Sequence, residues 1–362
     1  MADSMKQYSI ASIPGDGVGP EVIATGRLVL QAAQELDGGF QLSFDEYPWS
    51  CEYYLRHGEM MPKDGLQALG SHDAIYLGAV GFPTVPDHVS LWGLLLPIRQ
   101  GFQQYVNLRP IKLLPGIPCP LRDKGHEQID FVCIRENTEG EYAGVGGRLH
   151  TGTPEEVALQ TSVFTRNGVE RVIRYAFQVA MERPRKELVS ATKSNSLQYS
   201  MVFWDEVFQQ VAAEYPEVKA TKSHVDALAT QFVLQPEAFS VVVASNLFGD
   251  ILTDLAGALQ GSLGVPAGGN INPERRYPSM FEPVHGSAPT IAGKGIANPI
   301  AAIWAGAMML DFLGEKSAAG AITRAMMDVT AEGRVLTADL GGRATTREVA
   351  EEVAAKLSTV TE

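Results

Sequence analysis

Residues 241–254 read Val-Val-Val-Ala-Ser-Asn-Leu-Phe-Gly-Asp-Ile-Leu-Thr-Asp and pass from a strand pattern to a helix pattern. The first four are apolar and small or β-branched, which is typical of a strand buried on both faces. Beyond Gly249, apolar residues recur at spacings of three and four as far as Leu259, which predicts one apolar stripe on a helix. The sequence therefore predicts an α/β protein in which this strand leads directly into a helix.

Two carboxylates project from the predicted helix. Asp250 and Asp254 are four residues apart, so they lie on one face about one turn from each other. Their like charges repel, and their oxygen atoms suit a hard divalent cation, Mg²⁺ or Mn²⁺. A solvated acidic face is the alternative interpretation. The polar break at Ser245 and Asn246 favours a site, because sites in α/β proteins gather at the carboxyl ends of strands.

Composition limits the classes of function. A length of 362 residues predicts about two domains with ample core. The net charge of −13 argues against nucleic acid or an anionic membrane surface as a partner. Cys51, Cys119 and Cys133 form no CxxC pair, which favours a reducing compartment over a disulfide framework or a zinc site. No signal-peptide pattern and no run of transmembrane length is present, so a cytoplasmic location is expected.

A glycine-rich turn follows the first predicted strand, at residues 8–13. It reads Pro14-Gly-Asp-Gly-Val-Gly-Pro-Glu21 and leads into an amphipathic helix that extends to about residue 35. The glycines miss the G-x-G-x-x-G spacing of a dinucleotide fingerprint. A tight strand-to-helix turn is at least as good an interpretation as a direct phosphate contact.

Three arginines, Arg99, Arg109 and Arg135, stand at or beside the ends of predicted elements. Each alone is most often a partner in a surface ion pair. Together they could clamp a carboxylate, because Arg presents a rigid two-pronged donor to such groups. An acidic protein that binds an anionic substrate must concentrate its arginines in this way.

Two segments have loop or hairpin character. Residues 143–168 are rich in Gly and Thr, with alternating stretches that predict a hairpin arm. Residues 281–299 form a long segment with few apolar anchors, and loops of that length inside a compact domain are usually functional.

Five motifs carry a resemblance to a known family. They are YVNLRP (105–110), RENTEGEY (135–142), ATKSN (191–195), SNLFGDILTD (245–254) and FEPVHGSAP…GKGIANP (281–299). In this order they closely resemble the β-decarboxylating 2-hydroxyacid dehydrogenases, the family of isocitrate, isopropylmalate, tartrate and D-malate dehydrogenases. The resemblance covers nearly the whole chain, as far as Thr337-Ala-Asp-Leu-Gly-Gly342. It implies an isopropylmalate-dehydrogenase-like two-domain fold, with a large mixed sheet flanked by helices, and not a Rossmann fold.

The resemblance also implies a role for each domain. Residues 1–103 and 262–362 would form the two parts of a cofactor-binding domain. Residues 104–261 would form the substrate, metal and dimerisation domain, with the hairpin arm near 143–168. The active unit implied is a homodimer with shared active sites.

Individual residues take roles from the same resemblance. Arg99, Arg109 and Arg135 look like the substrate-carboxylate clamp. Tyr142 and Lys193 resemble the catalytic pair, assisted by Asp226. The metal ligands would be Asp226, Asp250 and Asp254. In the family, the residues that match Lys193 and Asp226 reach the site from the neighbouring subunit.

The segment from His285 to Asn298 looks like the adenosine-side cofactor loop. The residues expected to bind the cofactor are His285, Gly286, Ser287, Ala288, Pro289, Thr290, Ile291 and Asn298. NAD-dependent members usually carry Asp at the position of Thr290, and Thr can replace only part of its hydrogen bonding to the ribose. The Lys-Tyr pair of NADP-dependent members is absent, and TADLGG matches the NAD pattern, so NAD is the expected cofactor. K⁺ is a family expectation that no residue of the sequence locates.

The segment before Arg99 bears on the choice of substrate. It reads Ser90-Leu-Trp-Gly-Leu-Leu-Leu96, and Trp92 and Leu95 are expected to line the substrate pocket. Isopropylmalate dehydrogenases usually have Glu at the position of Trp92, whose indole should leave less room for an isopropyl group. The pattern resembles tartrate and D-malate dehydrogenases, although Pro97 stands where tartrate dehydrogenases usually carry Lys.

The sequence therefore predicts an enzyme that oxidises and β-decarboxylates a small 2-hydroxy diacid. The substrate would be tartrate and/or D-malate, the latter converted to pyruvate and CO₂, with NAD and Mn²⁺ or Mg²⁺. The alternative is a 3-isopropylmalate dehydrogenase of leucine biosynthesis. A remote alternative is a non-catalytic regulatory subunit, but such subunits typically lose the Lys, Tyr or metal carboxylates that are all present here.

Overall fold

The computed structural model describes residues 5–357, and the chain divides into two compact units. Unit 1 comprises Met1–Gln104, Lys112–Ile129 and Gly257–Glu362, and unit 2 comprises Tyr105–Ile111 and Asp130–Ala256. The sequence predicted boundaries after residues 103 and 261, which would put 112–129 in the middle domain. That segment belongs to unit 1. Gly116 lies directly against Thr330 of the same unit, so closely that a Cβ on Gly116 would be 2.0 Å from the Thr330 carbonyl oxygen.

The strands in chain order are β1 (Lys6–Gly15), β2 (Phe40–Glu46), β3 (Ala74–Ala79), β4 (Val106–Lys112), β5 (Asp130–Glu136), β6 (Gly140–Leu149), β7 (Val157–Val163), β8 (Glu187–Thr192), β9 (Lys219–His224), β10 (Val241–Ala244), β11 (Ala267–Ile271) and β12 (Ser279–Pro283). The α-helices are α1 (Gly19–Asp37), α2 (Cys51–His57), α3 (Gly65–Leu69), α4 (Asp87–Ser90), α5 (Leu96–Gly101), α6 (Arg166–Glu182), α7 (Ser200–Ala212), α8 (Val225–Leu234), α9 (Asn246–Ala258), α10 (Ile300–Leu313), α11 (Lys316–Glu332) and α12 (Thr346–Leu357). A π-helical turn spans Leu91–Leu95, and 3₁₀ turns span Pro236–Ala238 and Ala338–Leu340.

The strands of unit 1 are ordered β2-β1-β3-β12-β11. The neighbours pair in parallel except β11 and β12, which are antiparallel, so the strand arrangement is mixed. All six residues of β3 are buried, as an apolar strand covered on both faces requires. The apolar helix α10 packs against β3, β11 and β12 and against α1 and α11, which explains why most of its residues are buried.

The strands of unit 2 are ordered β4-β5-β10-β8-β9. β5, β10, β8 and β9 pair in parallel, and β10 is the strand predicted from the apolar run at 241–244. Helix α6 packs its apolar face on β5, β8 and β10. β6 and β7 form an antiparallel hairpin in the segment of the predicted arm. The predicted α/β fold, with mixed strands flanked by helices, is confirmed.

Within residues 5–357, no helix combines the length and the apolar character needed to cross a membrane. Cys51, Cys119 and Cys133 are free thiols.

Tyr76 anchors the core of unit 1, and its replacement gives a test of the packing. The buried hydroxyl donates to the carbonyl oxygen of Ala302 over 2.6 Å. We expect Tyr76→Phe to lower the free energy of unfolding by about 1–2 kcal/mol, because the Ala302 carbonyl would then be buried without this donor. Urea unfolding followed by circular dichroism measures the loss. Tyr199→Phe is the control, since Tyr199 is 84% exposed and should show no change; equal effects would contradict the expectation.

Candidate active site

Arg135 and Asp250 meet at the carboxyl end of β5. The buried Arg135 side chain donates from Nε and Nη2 to Asn246 Oδ1 over 3.1 and 2.8 Å. Its Nη1 donates to Asp250 Oδ1 in a charge-assisted hydrogen bond. The first turn of α9 approaches this closely because position 249 is glycine, where a Cβ would lie 2.5 Å from Arg135 Cγ.

Arg109, on β4, faces the next turn of α9. Its buried guanidinium donates from Nη1 to Thr253 Oγ1 over 2.6 Å. Its nitrogen atoms lie 3.9 Å from Asp250 Oδ1 and 3.6 Å from Asp254 Oδ1. The two arginines therefore supply the positive charge that compensates the two neighbouring carboxylates in this chain.

Tyr142, on β6, also contacts Asp250. Its hydroxyl donates to Asp250 Oδ2 over 3.0 Å, and the Arg135 guanidinium lies over its ring at 5.5 Å. Both oxygen atoms of Asp250 are thus engaged, one by a cation and one by a phenol. A carboxylate oxygen accepts more than one donor or ligand, so Asp250 keeps capacity for a further partner.

The turn between β5 and β6 is held by the buried carboxyl group of Glu136. It accepts the backbone N–H groups of Thr138 and Glu139 over 2.8 and 2.9 Å. Burial raises the pKa of Glu136, while these hydrogen bonds oppose that shift. Asn246 Nδ2 donates to the carbonyl oxygen of Glu139 over 3.0 Å. One asparagine at the start of α9 therefore positions both Arg135 and the turn that leads to Tyr142.

Lys193 and Asp226 form a separate ion pair. Lys193 follows β8, Asp226 lies in the first turn of α8, and Lys193 Nζ donates to Asp226 Oδ1 over 2.6 Å. The hydrogen bond from Lys193 lowers the pKa of Asp226 below its ordinary value. The parallel pairing of β8 and β9, in register from Glu187↔Lys219 to Thr192↔His224, brings the two residues together.

The three predicted metal ligands do not gather within one chain. Among residues 5–357, no group of three His, Cys, Asp or Glu side chains is close enough to share a metal ion. Asp250 and Asp254 offer oxygen atoms of the kind that Mg²⁺ and Mn²⁺ prefer, and the Asp254 side chain is 74% exposed. These two carboxylates fit a divalent cation as part of a ligand set, and Asp226 of the same chain is engaged elsewhere.

Arg99 lies in unit 1, and its hydrogen-bond partner belongs to the same unit. Its Nη2 donates to Glu282 Oε1 over 2.9 Å, and Asn270 Nδ2 donates to the same oxygen over 2.7 Å. Arg99 Nε is buried with no hydrogen-bond partner. Trp92 and Leu95 lie in the π-helical turn before α5, with the Trp92 side chain exposed and Leu95 half-buried. Such turns are frequent at functional sites.

The glycine-rich turn at residues 14–21, called the opening turn from here on, is hydrogen-bonded to the predicted cofactor loop. The Ser287 carbonyl oxygen accepts the N–H of Val18 over 2.8 Å. Gly17, at φ +60°, passes so close that a Cβ there would lie 2.0 Å from that oxygen. At the far end of the loop, Asn298 Nδ2 donates to Asp339 Oδ2 over 2.9 Å. Along the loop, Gly286, Pro289 and Thr290 are exposed, and Ala288 and Ile291 are half-buried.

The side chain of His285 has a buried nitrogen atom that is free to bond a ligand at this loop. Its Nδ1 lies 2.9 Å from the Gly286 carbonyl oxygen, whereas its Nε2 is buried with no partner. Burial lowers the pKa of His285, so the imidazole is held neutral. A buried nitrogen without a partner is costly unless a ligand or water bonds it, and a dinucleotide offers such groups.

Several positioning residues were not singled out from the sequence. Asn246 and Thr253 hold Arg135 and Arg109, and Glu282 holds Arg99. Asn246 had a detectable signal, because it is the polar residue that ends the buried strand. Thr253 and Glu282 had none, since their partners are 144 and 183 residues away.

Comparisons with known proteins place these residues in a family context. The sequence model described as Isocitrate/isopropylmalate dehydrogenase matches residues 9–353. The chain is 58% identical to the D-malate dehydrogenase [decarboxylating] of Escherichia coli, over 96% of this chain and 98% of that protein. It is 53% identical to the tartrate dehydrogenase/decarboxylase of Pseudomonas putida, over 94% and 95%. Among solved structures, isocitrate dehydrogenase from Methylococcus capsulatus matches with a TM-score of 0.87 at 36% identity, covering 97% of this chain and 99% of that one.

The depressed pKa of His285 predicts a pH dependence of stability. The unfolded chain binds a proton at this residue as the pH falls through about 6.5, whereas the folded chain resists protonation until lower pH. Stability from this residue is therefore complete above that pH and is lost as the pH falls below it. We expect the free energy of unfolding, measured in urea at about pH 7.5 and 5.5, to fall more in the unaltered chain than in His285→Asn.

The matched control is His150→Asn, at an exposed position with φ 54°, which Asn tolerates. This variant should keep the pH dependence of the unaltered chain. Parallel curves for His285→Asn and the unaltered chain would contradict the assignment.

Proposed function

The chain belongs to the isocitrate/isopropylmalate dehydrogenase family, and we propose that it oxidises and decarboxylates a small 2-hydroxy diacid, D-malate and/or tartrate. NAD and a divalent cation, Mn²⁺ or Mg²⁺, would be its cofactors. The relatives named D-malate dehydrogenase [decarboxylating] and tartrate dehydrogenase/decarboxylase support this substrate class over 3-isopropylmalate. The retained Lys193, Tyr142 and metal carboxylates favour an enzyme over a regulatory subunit.

The main support for this proposal is the set of contacts around Asp250. One carboxylate is touched by Arg135 and Tyr142 and lies 3.9 Å from Arg109, so the side chains proposed to bind the substrate and to protonate C3 lie close together. The guanidinium groups of Arg109 and Arg135 can orient a substrate carboxylate in this otherwise acidic protein. Arg99 is the third member of the proposed clamp.

The cofactors would supply the chemistry that no side chain provides. When bound, NAD would supply the hydride acceptor, and the divalent cation would supply a Lewis acid for the carboxylate and hydroxyl oxygen atoms of the substrate. Asp250 and Asp254 would hold the cation from one chain, together with Asp226 from a second copy. The loop from His285 to Asn298 would hold the adenosine half of NAD.

Two side chains of the protein would move the protons. Lys193 Nζ would take the proton of the C2 hydroxyl, directly or through a water molecule. The Tyr142 hydroxyl would donate a proton to C3 after CO₂ leaves. Asp226, hydrogen-bonded to Lys193 over 2.6 Å, would hold the Lys193 nitrogen in place, and the base for this step would be the neutral amine.

A homodimer is part of the proposal, because one chain does not gather all three carboxylates. Exposed apolar side chains on the described surface support an interface. The hairpin arm presents Leu149 and Leu159, at 57% and 59% exposure, and α9 presents Ile251 at 59%. Side chains of this kind normally need a partner when they cluster.

The location proposed is the cytoplasm. The support is the presence of three free cysteines with no pairing, which suits a reducing compartment.

A substrate panel tests the proposed function. NADH formation would be measured with Mn²⁺ and NAD on D-malate, L-tartrate, meso-tartrate, 3-isopropylmalate and isocitrate, each with an EDTA control. We expect EDTA-sensitive turnover of D-malate or a tartrate. In Asp250→Asn, kcat/KM should fall by roughly 10²-fold or more, because a bound metal contributes several kcal/mol to the transition state. Turnover restricted to 3-isopropylmalate, or unaffected by EDTA, would contradict the proposal.

Two glycines on α9 provide a matched test of the Arg135 site. The methyl group of Gly249→Ala would lie 2.5 Å from Arg135 Cγ and must displace that side chain. We expect the KM for the diacid to rise by about tenfold, which corresponds to about 1.4 kcal/mol of lost binding. Gly257→Ala, whose Cβ would meet nothing closer than 3.4 Å, should retain the KM and stabilise the helix by up to about 1 kcal/mol. Equal KM values in the two variants would argue against a substrate role for Arg135.

A further inference from the structure

Asp16, in the opening turn, is a buried carboxyl group that joins two other segments. It is 1% exposed, and its Oδ2 accepts the backbone N–H groups of Cys51 and Gly81 over 2.9 and 3.1 Å. Its Oδ1 accepts the N–H of Glu52 over 3.2 Å. The contacts with Cys51 and Glu52 reach the start of α2, and the contact with Gly81 reaches the loop that follows β3. No step of the proposed reaction uses Asp16.

The loop held at Gly81 forms one wall of a cavity. This cavity of about 630 Å³ is bounded by residues 80–87 on one side and 286–289 on the other. The second wall belongs to the proposed cofactor loop, and the opening turn holds it too, through the hydrogen bond from Val18 N to Ser287 O over 2.8 Å. The opening turn therefore fixes both walls, one through Asp16 and one through Val18.

We propose that Asp16 is a positioning residue for the cofactor, which sets the loop 80–87 in the place that NAD binding requires. This inference rests on the proposed function, because it takes NAD as the ligand of the cavity between residues 80–87 and 286–289. Gly81 has φ +143° and no side chain to pack, so Asp16 supplies an anchor that the loop itself lacks at that position. Asp16 does not touch the reacting atoms and acts only through the loop.

The loss of NAD affinity expected without this anchor follows from the fraction of molecules in which the loop 80–87 is placed for binding. If the loop is placed for binding in only a fraction of molecules, the apparent Kd rises by the reciprocal of that fraction. Asp16→Ala removes these three backbone hydrogen bonds, and we expect it to raise the Kd for NAD by about tenfold, as for a competent fraction of about one tenth.

The conservative variant should restore most of the affinity. In Asp16→Asn, the amide oxygen can take the place of Oδ2 and accept the N–H groups of Cys51 and Gly81, whereas the NH₂ group takes the place of Oδ1 and cannot accept the N–H of Glu52. We expect its Kd to lie within about threefold of the unaltered protein, because two of the three hydrogen bonds persist.

The measurement is calorimetric titration of the full-length protein with NAD in the absence of any diacid. Hydrogen exchange of the peptide that covers residues 80–87 is measured on the same samples. Asp16→Ala should weaken NAD binding and speed exchange in this peptide, and Asp16→Asn should recover both. A diacid is left out so that the result does not depend on turnover.

Ser50→Ala is the matched control. Ser50 Oγ accepts the N–H of Tyr53 over 3.1 Å and caps the same helix, α2, without contacting Gly81. It should speed exchange in residues 51–57 and leave the Kd for NAD within about twofold, because the anchor of the loop 80–87 is intact. A loss of affinity equal to that of Asp16→Ala would assign the effect to α2 and overturn the inference.

Gly81→Ala keeps the proposal testable if Asp16→Ala does not fold. A Cβ at this position would lie 3.3 Å from Ser287 Oγ, on a backbone conformation that L side chains rarely adopt, so the loop must move while Asp16 remains. It should also weaken NAD binding. An unchanged Kd in Asp16→Ala or in Gly81→Ala would overturn this inference and leave the proposed function standing. If the unaltered protein did not bind NAD, both the proposed function and this inference would be overturned.

Discussion

Compensation of the charge on Asp250 is the constraint on which unit 2 depends. Two carboxylates one turn apart on α9 face two buried guanidinium groups, Arg109 and Arg135, which could not be buried at low cost without these carboxylates beside them. The surrounding chain serves this arrangement. Gly249 leaves room for Arg135, and Asn246 orients it. Removal of the carboxylate beside a buried guanidinium group typically costs about 3–5 kcal/mol, because the guanidinium charge stays buried without compensation.

The same constraint explains how binding and chemistry could share a site. Arg109 and Arg135 contact carboxylates of the protein in this chain, and a diacid substrate offers carboxylates of the same geometry. Asp250 and Asp254 would hold a divalent cation in the proposed site, and its positive charge would add to that of the two guanidinium groups. Lys193 and Asp226 are paired at a different place in unit 2, which is why the proposal needs a second copy of the chain.

Local patterns predicted much of this structure, and long-range pairing explains what they missed. The apolar run of β10 and the stripe of α9 specify their own burial, and the spacing of Asp250 and Asp254 puts them on one face. The family resemblance read from five motifs is confirmed. The ion pair of Arg99 with Glu282 could not be predicted, because it joins residues 183 apart, and the segment 112–129 falls in unit 1 for a similar reason.

Activity of a mixed dimer would test the shared site most directly. Lys193→Met and Asp250→Asn would be co-expressed with different tags, and the dimer that carries both tags would be purified. Each parent homodimer should lose roughly 10²–10⁴-fold in turnover, the usual contribution of such groups. If Lys193 of one copy serves Asp250 of the other, one of two sites is intact, and the mixed dimer should recover about half of the unaltered activity. Activity no higher than that of the parents would contradict the shared site.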